Sequence, residues 1–312
     1  MPLKFTVLPT GLPPNINDNE YVNSSEGLVS EQLKFGKVFM VGFRASVVRL
    51  VFYKLLGTGV VAALVGVSSG TGPDLAFSCA LSVGVNAIAT YHYHHIWAVR
   101  AQRIPEAEAF TRGGGGDQGA KVFLQEYLVD SYRFTDWLCT MLLLQIELGA
   151  TREFVVKEVP GTPKPVIIKE WAAFLQVCMV TLGGVYRFVT NEARDNTKTS
   201  CKSKTLGWIA FVLSSVCFVL AILSLQVGLK SPYEYDDPDV HRAVMQLFVF
   251  PLIWVGYPLV MLVARVWLRH LDPERYSEGC SLFKDVAFGT LDVLSKAGLA
   301  LFVALRAHAQ SS

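Results

Sequence analysis

The sequence predicts an all-α membrane protein, a bundle of seven transmembrane helices. Three observations point there. Seven separate runs are apolar over roughly 20 residues or more, the length a helix needs to cross a bilayer. The composition is 52% hydrophobic and only 17% charged, with a mean hydropathy of +0.37, too apolar for an ordinary water-soluble domain. The links between runs are mostly short, which favours antiparallel neighbours. A backbone inside lipid must satisfy its own hydrogen bonds, so these lengths read as a closed helical bundle.

The elements follow in order. Residues 1–41 form an N-terminal tail, polar and then amphipathic. Its first 35 residues hold four prolines and the polar run Asn17-Asp-Asn-Glu20, and they read as mostly irregular. They lack a charged segment followed by an apolar core, so no cleavable signal peptide is predicted. Asn23-Ser24-Ser25 is a formal glycosylation sequon. The membrane domain spans 42–308, with 309–312 as a short C-terminal tail. Its spans are 42–67, which carries Arg49 and Lys54, then 75–98, 126–149, 168–189, 205–229, 241–268 and 283–308. Ser69-Gly70-Thr71-Gly72-Pro73 is a turn signal before the second span. Gly113–Gly116 makes a glycine-rich link between spans two and three, and proline-rich Val159–Pro165 joins three to four.

A net charge of +2 with no basic patch gives no nucleic-acid footprint. The six cysteines have no metal-ligand spacing; Cys201 and Cys280 fall in loops where pairing is open but not required. No carboxylate or cysteine accompanies the histidines of the second span, so no metal site is expected.

Two spans carry chemistry. Asp292 and Lys296 lie four residues apart in the otherwise apolar seventh span. That spacing puts both on one helix face, about 6 Å apart along the axis. Charges at such depth are costly and tend to mark pathways or ligands; the alternative is a structural intrahelical ion pair. The third span holds Arg133, Asp136, Thr140 and Glu147 at offsets that place them near one stripe. Asp136 and Glu147 are three turns apart, about 16 Å. Asp136, one turn from the Arg133 cation, favours the ionised form, and Glu147, among apolar neighbours, the protonated one. Two carboxyls in opposed environments can serve as acceptor and donor of protons. The plainer alternative places Arg133 and Asp136 at the membrane interface, with Glu147 reaching toward the other.

Arg133-Phe-Thr-Asp136-Trp137-Leu-Cys-Thr140, Asp292-Val-Leu-Ser-Lys296 and Trp254-Val-Gly-Tyr257-Pro258 fall on spans three, seven and six. Together they resemble the microbial (type 1) rhodopsins, over about residues 42–308. The resemblance implies all-trans retinal bound to Lys296 as a protonated Schiff base. It makes Asp136 and Asp292 the counterions, with Arg133 as their partner. Trp137, Trp254 and Tyr257 would line the polyene, joined by Tyr93, Leu144 and Pro258. Met179 and Gly183 would lie near the ionone ring, and Trp208 is a further candidate for the lining. Flat aromatic walls suit a long conjugated ligand independently of the family.

Within the family, the triplet Asp136, Thr140, Glu147 resembles proton pumps of the proteorhodopsin and xanthorhodopsin group. There Asp136 is the proton acceptor, Glu147 the proton donor, and His92 the partner of the acceptor. Leu144 is the green-absorbing choice at the family's colour-tuning position. The chain departs from the family at Leu142, where a proline is common, at Met141, and at Lys284, near an archaeal proton-release glutamate; Glu274 and Glu278 lie nearby. The expected function is therefore light-driven, outward proton transport by a non-enzymatic, multi-pass membrane protein. The alternatives are a light-gated cation channel or a photosensor. The absence of glutamate from residues 75–100 argues against the algal channels. The resemblance also implies a homo-oligomer, trimer or pentamer, embedded in a lipid bilayer. The sequence names neither the host membrane nor a carotenoid antenna. The family topology puts the N-terminus outside. The positive-inside tendency prefers the reverse, since Arg100, Arg103, Arg112, Lys121 and others then count as external.

Overall fold

The computed structural model describes the backbone of residues 18–68, 73–111, 118–157, 170–195, 201–226, 238–266 and 273–311, with side chains mainly in the apolar parts of these segments. Every one of these segments is helical. They form seven rods: α1 (Asp18–Ser68), α2 (Pro73–Thr111), α3 (Gln118–Lys157), α4 (Glu170–Asp195) and α5 (Cys201–Gln226) are the first five. The sixth rod is α6 (Pro238–Trp254) followed by α7 (Gly256–Val266). The seventh is α8 (Pro273–Asp292), a π-helical turn (Val293–Ala297) and α9 (Gly298–Ser311). Three helices, α2, α6 and α8, begin at a proline, where the missing N–H is one that the first turn leaves unbonded anyway.

The tail differs from its expected irregular form. From Asp18 onward it is helical and continuous with the first span. Asp18 and Glu20 supply acidic residues to that first turn, which favours a helix start. The sequon lies on this helix, with its side chains outside the described residues, as are the links Gly113–Gly116 and Val159–Pro165.

Five described stretches are long and apolar enough to cross a membrane: Met40–Val67, Leu75–Gln102, Thr205–Leu223, Met245–Ala264 and Cys280–Arg306. The fourth rod adds a shorter apolar helix, Phe174–Tyr186. The third rod fails a test of simple hydropathy because of what it buries: Asp130, Arg133, Asp136, Thr140, Gln145 and Glu147 all face inward. Lipid is met instead by side chains such as Leu206, Ile209, Val212 and Val216 of α5, which the bundle leaves exposed.

The chain packs α1 on α2, α2 on α3, and α4 on α5, while α1 also meets α8 and α9 to close the bundle. The main core gathers Trp137, Met141, Leu144, Leu148, Phe218, Phe250, Trp254, Tyr257, Phe288 and Leu299 from four of the rods. The sixth rod breaks in its middle. Pro258 has no N–H to give the Trp254 carbonyl, so the ladder is interrupted there. Val255 N–H turns back to Leu252 O (3.2 Å) and Leu259 N–H bonds Val255 O (3.4 Å). Gly256 sits at the break because a Cβ there would come within 2.5 Å of Leu291 Cδ2 on α8.

Among the described residues no cysteine is in a disulfide, and the Cys280 thiol instead lies 3.7 Å from Ala264 O.

Candidate functional site

Lys296 is fully buried at the heart of the bundle, on the π-helical turn. The turn is wound one residue wider than an α-helix, with Gly298 N–H bonded to Val293 O. Lys296 Nζ donates to Asp136 Oδ2 on α3 and lies 3.0 Å from Asp292 Oδ1 on its own rod. The i, i+4 spacing thus does bring the acid to the amine, and a second acid arrives from α3.

The two aspartates are held differently. Asp292 accepts from two tyrosines, Tyr93 OH at Oδ2 (2.6 Å) and Tyr257 OH at Oδ1 (2.7 Å). Tyr257 OH is also 3.1 Å from Ser295 Oγ. Among the described residues Asp136 has only Lys296 on Oδ2, and its Oδ1 has no hydrogen-bond partner. His92 Nδ1 lies 3.6 Å from Oδ1. That nitrogen is 2.9 Å from Ile88 O. A carbonyl only accepts, so Nδ1 carries the proton of this bond, and its contact with Asp136 is electrostatic rather than a second hydrogen bond.

A cleft opens beside this centre. Trp137, Met141, Met179, Gly183, Trp254, Tyr257 and Pro258 line it, with Phe134, Tyr186, Phe211 and Phe218 among the rest. Trp137 follows Asp136 in the chain and Tyr257 bonds Asp292, so one wall of the cleft abuts the Lys296 cluster directly. Trp137 packs edge-on against both Tyr257 (5.1 Å between ring centroids) and Phe288 (4.9 Å). A buried amine flanked by two carboxylates, next to a cleft lined by aromatic side chains, suits retinal. These residues would hold it and balance the charge at its attachment.

Thr140 donates to the Asp136 backbone carbonyl (2.8 Å), so its hydroxyl serves its own helix. Three expectations change. Trp208 is 39% exposed and packs outward on Tyr186 and Phe211; the helical turn brings Phe211, Ser214 and Ser215 to the cleft in its place. Leu144 is fully buried in the core beside the cleft rather than on its lining. Arg133 turns away from Asp136 and Asp292, to Asp285 and to Asp130 Oδ1 (3.4 Å).

That last contact belongs to a buried ionic cluster. Asp285 of α8 also receives Arg44 Nε from α1 (3.0 Å) and Arg100 from α2, Nε at 3.0 Å and Nη2 at 3.1 Å. Lys284 Nζ is 3.1 and 3.0 Å from the two oxygens of Asp130. Arg100 is 1% exposed, so it leaves the tally of loop charges. One signal for Asp285 was there to be found: it precedes Asp292 by seven residues, on the same helix face. Glu274 and Glu278 have side chains outside the described residues.

On the other side of Lys296, Glu147 is fully buried and accepts from Ser82 Oγ of α2. Nothing in the sequence singled out Ser82 among the small residues of its helix. His94 and His95 pack among aromatic rings, His95 stacking on Tyr132 (5.2 Å). No group of three metal-binding side chains occurs among the described residues.

No curated protein sequence matches the chain. Solved structures match its fold along most of its length. Xanthorhodopsin, a light-driven ion pump with dual chromophore, gives a TM-score of 0.60 at 20% identity, covering 87% of this chain and 94% of that one. Exiguobacterium sibiricum rhodopsin gives 0.59 at 14% identity, covering 88% and 98%. The light-driven proton pump LR (Mac) from Leptosphaeria maculans gives 0.54 at 14% identity, covering 86% and 96%. At these identities the likeness establishes the seven-helix rhodopsin fold. The model of the bacteriorhodopsin-like proteins matches residues 115–310, more than half of the sequence and including both Asp136 and Lys296. With that match, the chain belongs to the bacteriorhodopsin-like family, the microbial rhodopsins, as an integral multi-pass membrane protein.

Proposed function

We propose that the protein is a light-driven proton pump that carries retinal on Lys296 and moves protons outward. One observation carries the reading: of the two aspartates at Lys296, Asp292 accepts a tyrosine hydroxyl on each oxygen, while among the described residues Asp136 accepts only from Lys296. Retinal attached at the Lys296 nitrogen would supply absorption of visible light and a change of shape on absorbing it.

The residues then divide the labour. Asp292, fixed by Tyr93 and Tyr257, remains the anion that balances the charge on the Lys296 nitrogen. Asp136 takes the proton from that nitrogen, because its Oδ2 accepts from it directly and no tyrosine hydroxyl competes for the carboxylate. His92, electrostatically coupled to Asp136 at 3.6 Å, influences when that transfer occurs. Glu147 lies three turns further along α3, about 16 Å by helix geometry. It returns a proton to the nitrogen from the opposite side, with Ser82 orienting its carboxyl. Trp137, Trp254 and Tyr257 exclude water from the cleft and hold its occupant flat.

The test is the pH of an illuminated, unbuffered suspension of cells expressing the protein and supplied with retinal. Light acidifies the medium. Asp136→Asn keeps a visible band but loses the acidification, and Lys296→Ala loses the covalent band as well. An unchanged pH, together with a photocurrent that reverses sign with voltage, overturns the pump in favour of a channel.

A further inference from the structure

Arg133 stands three residues before Asp136, one turn along α3, where its long side chain can reach either way. It is committed to one way. Its guanidinium bonds Asp285 and lies 3.4 Å from Asp130, and it rests on the Phe288 ring at 5.4 Å from the centroid. Phe288 in turn packs on Trp137 and Tyr257, so an aromatic wall stands beside the guanidinium, next to the cleft. Asp285 itself is anchored from two further helices by Arg44 and Arg100. The charged side chains Arg44, Arg100, Asp130, Arg133 and Asp285 are at most 4% exposed.

We propose that Asp285 is a positioning residue for proton transfer: it holds the Arg133 charge away from Asp136 and so sets the field at the Lys296–Asp136 pair. The proposal rests on the reading of Lys296 and Asp136 as the retinal anchor and its acceptor. Among the described residues, the charged and titratable groups that face Asp136 are Lys296 from the π-helical turn, Asp292 from α8, His92 and Tyr93 from α2 and Tyr257 from α7, while Arg133, one turn away on α3, is turned from it. Those around Arg133 are Asp285 and Lys284 from α8, Asp130 from α3, Arg100 from α2 and Arg44 from α1. Coulomb energy falls inversely with distance. The side of Asp136 on which Arg133 stands therefore decides how strongly the Asp136 carboxylate acts on the Lys296 nitrogen. Remove the Asp285 charge and Arg133 loses one of its two anions. Asp136, one turn away on the same helix, then competes for it.

The readout is the dark absorption band of the purified protein supplied with retinal, which does not depend on transport. A cation beside Asp136 weakens the anion at the nitrogen and narrows the gap between ground and excited states. Asp285→Asn therefore shifts the band to longer wavelength, and Asp285→Glu, which keeps the charge, returns it toward its original position. Arg100→Gln has the opposite sign: Asp285 then has fewer cations to share, holds Arg133 more firmly, and the band stays or moves to shorter wavelength. A purely structural disturbance moves Asp285→Asn and Arg100→Gln the same way. If stranded arginines keep Asp285→Asn from folding, the pair Arg44→Gln with Asp285→Asn removes one of them, and the same long-wavelength shift is expected. An unshifted band in Asp285→Asn, or equal shifts in Asp285→Asn and Arg100→Gln, overturns the role of Asp285 and leaves the pump reading standing. No visible band in the unsubstituted protein overturns both.

Discussion

On one side of Lys296 four cations, Arg44, Arg100, Arg133 and Lys284, share the carboxylates of Asp130 and Asp285. On the other side Glu147 has the Ser82 hydroxyl and, among the described residues, no ion pair. Both halves are equally buried, yet they handle charge in opposite ways. The first cross-links α1, α2, α3 and α8 through paired charges. Such a network is rigid, because breaking any one pair leaves an uncompensated charge in a low-dielectric interior. The second holds a single carboxyl whose neighbours are neutral. A lone carboxylate is far costlier to bury than the neutral acid, so this group suits the lending of a proton. A bundle that must move one proton while keeping its shape benefits from having both: a half that stays put and a half whose charge can change.

The same isosteric change, acid to amide, made in each half sharpens the contrast. Asp285→Asn strands buried arginines and lowers the stability of the retinal-free protein by about 3–5 kcal/mol, read from thermal or denaturant unfolding in detergent. Equal stability in that variant would dissolve the distinction between the halves. Glu147→Gln leaves the fold intact within about 1 kcal/mol. It removes a proton donor, and dark recovery after a flash slows by roughly 100-fold in time-resolved absorption. Ser82→Ala has the smallest effect. It deletes one hydrogen bond of about 1 kcal/mol, enough to change the rate of the Glu147 step about fivefold. A Ser82→Ala protein that recovers at the unsubstituted rate would mean that the hydroxyl is not what orients Glu147.

Much of this was legible in the sequence, and for local reasons. Asp292 and Lys296 at i, i+4 had to share a face, and the stripe Arg133, Asp136, Thr140 and Glu147 had to point one way. Trp137, Trp254, Tyr257 and Pro258 were readable as a lining because they sit on those same inward faces. Trp208 was misplaced for the same kind of reason: each residue rotates the helix by about 100°. A one-residue uncertainty on α5 therefore decides between the cleft and lipid, and α5 is apolar on every side. The helical continuation of the tail back to Asp18 was missed because its polar residues and prolines read as breakers, while the prolines all precede the helix.

By itself, then, the chain determined seven apolar rods, a lysine deep in the last of them, and a polar stripe on the third. Those follow from length and periodicity, which act within one helix. Only the packed bundle decided which carboxylate Arg133 answers to, that three arginines from three helices converge on Asp285, and that Asp292 accepts from two tyrosines while Asp136 accepts from none. These are choices between competing partners on different rods. Their outcome depends on relative distance and on which charges are left unpaired, and neither exists until the helices are packed together.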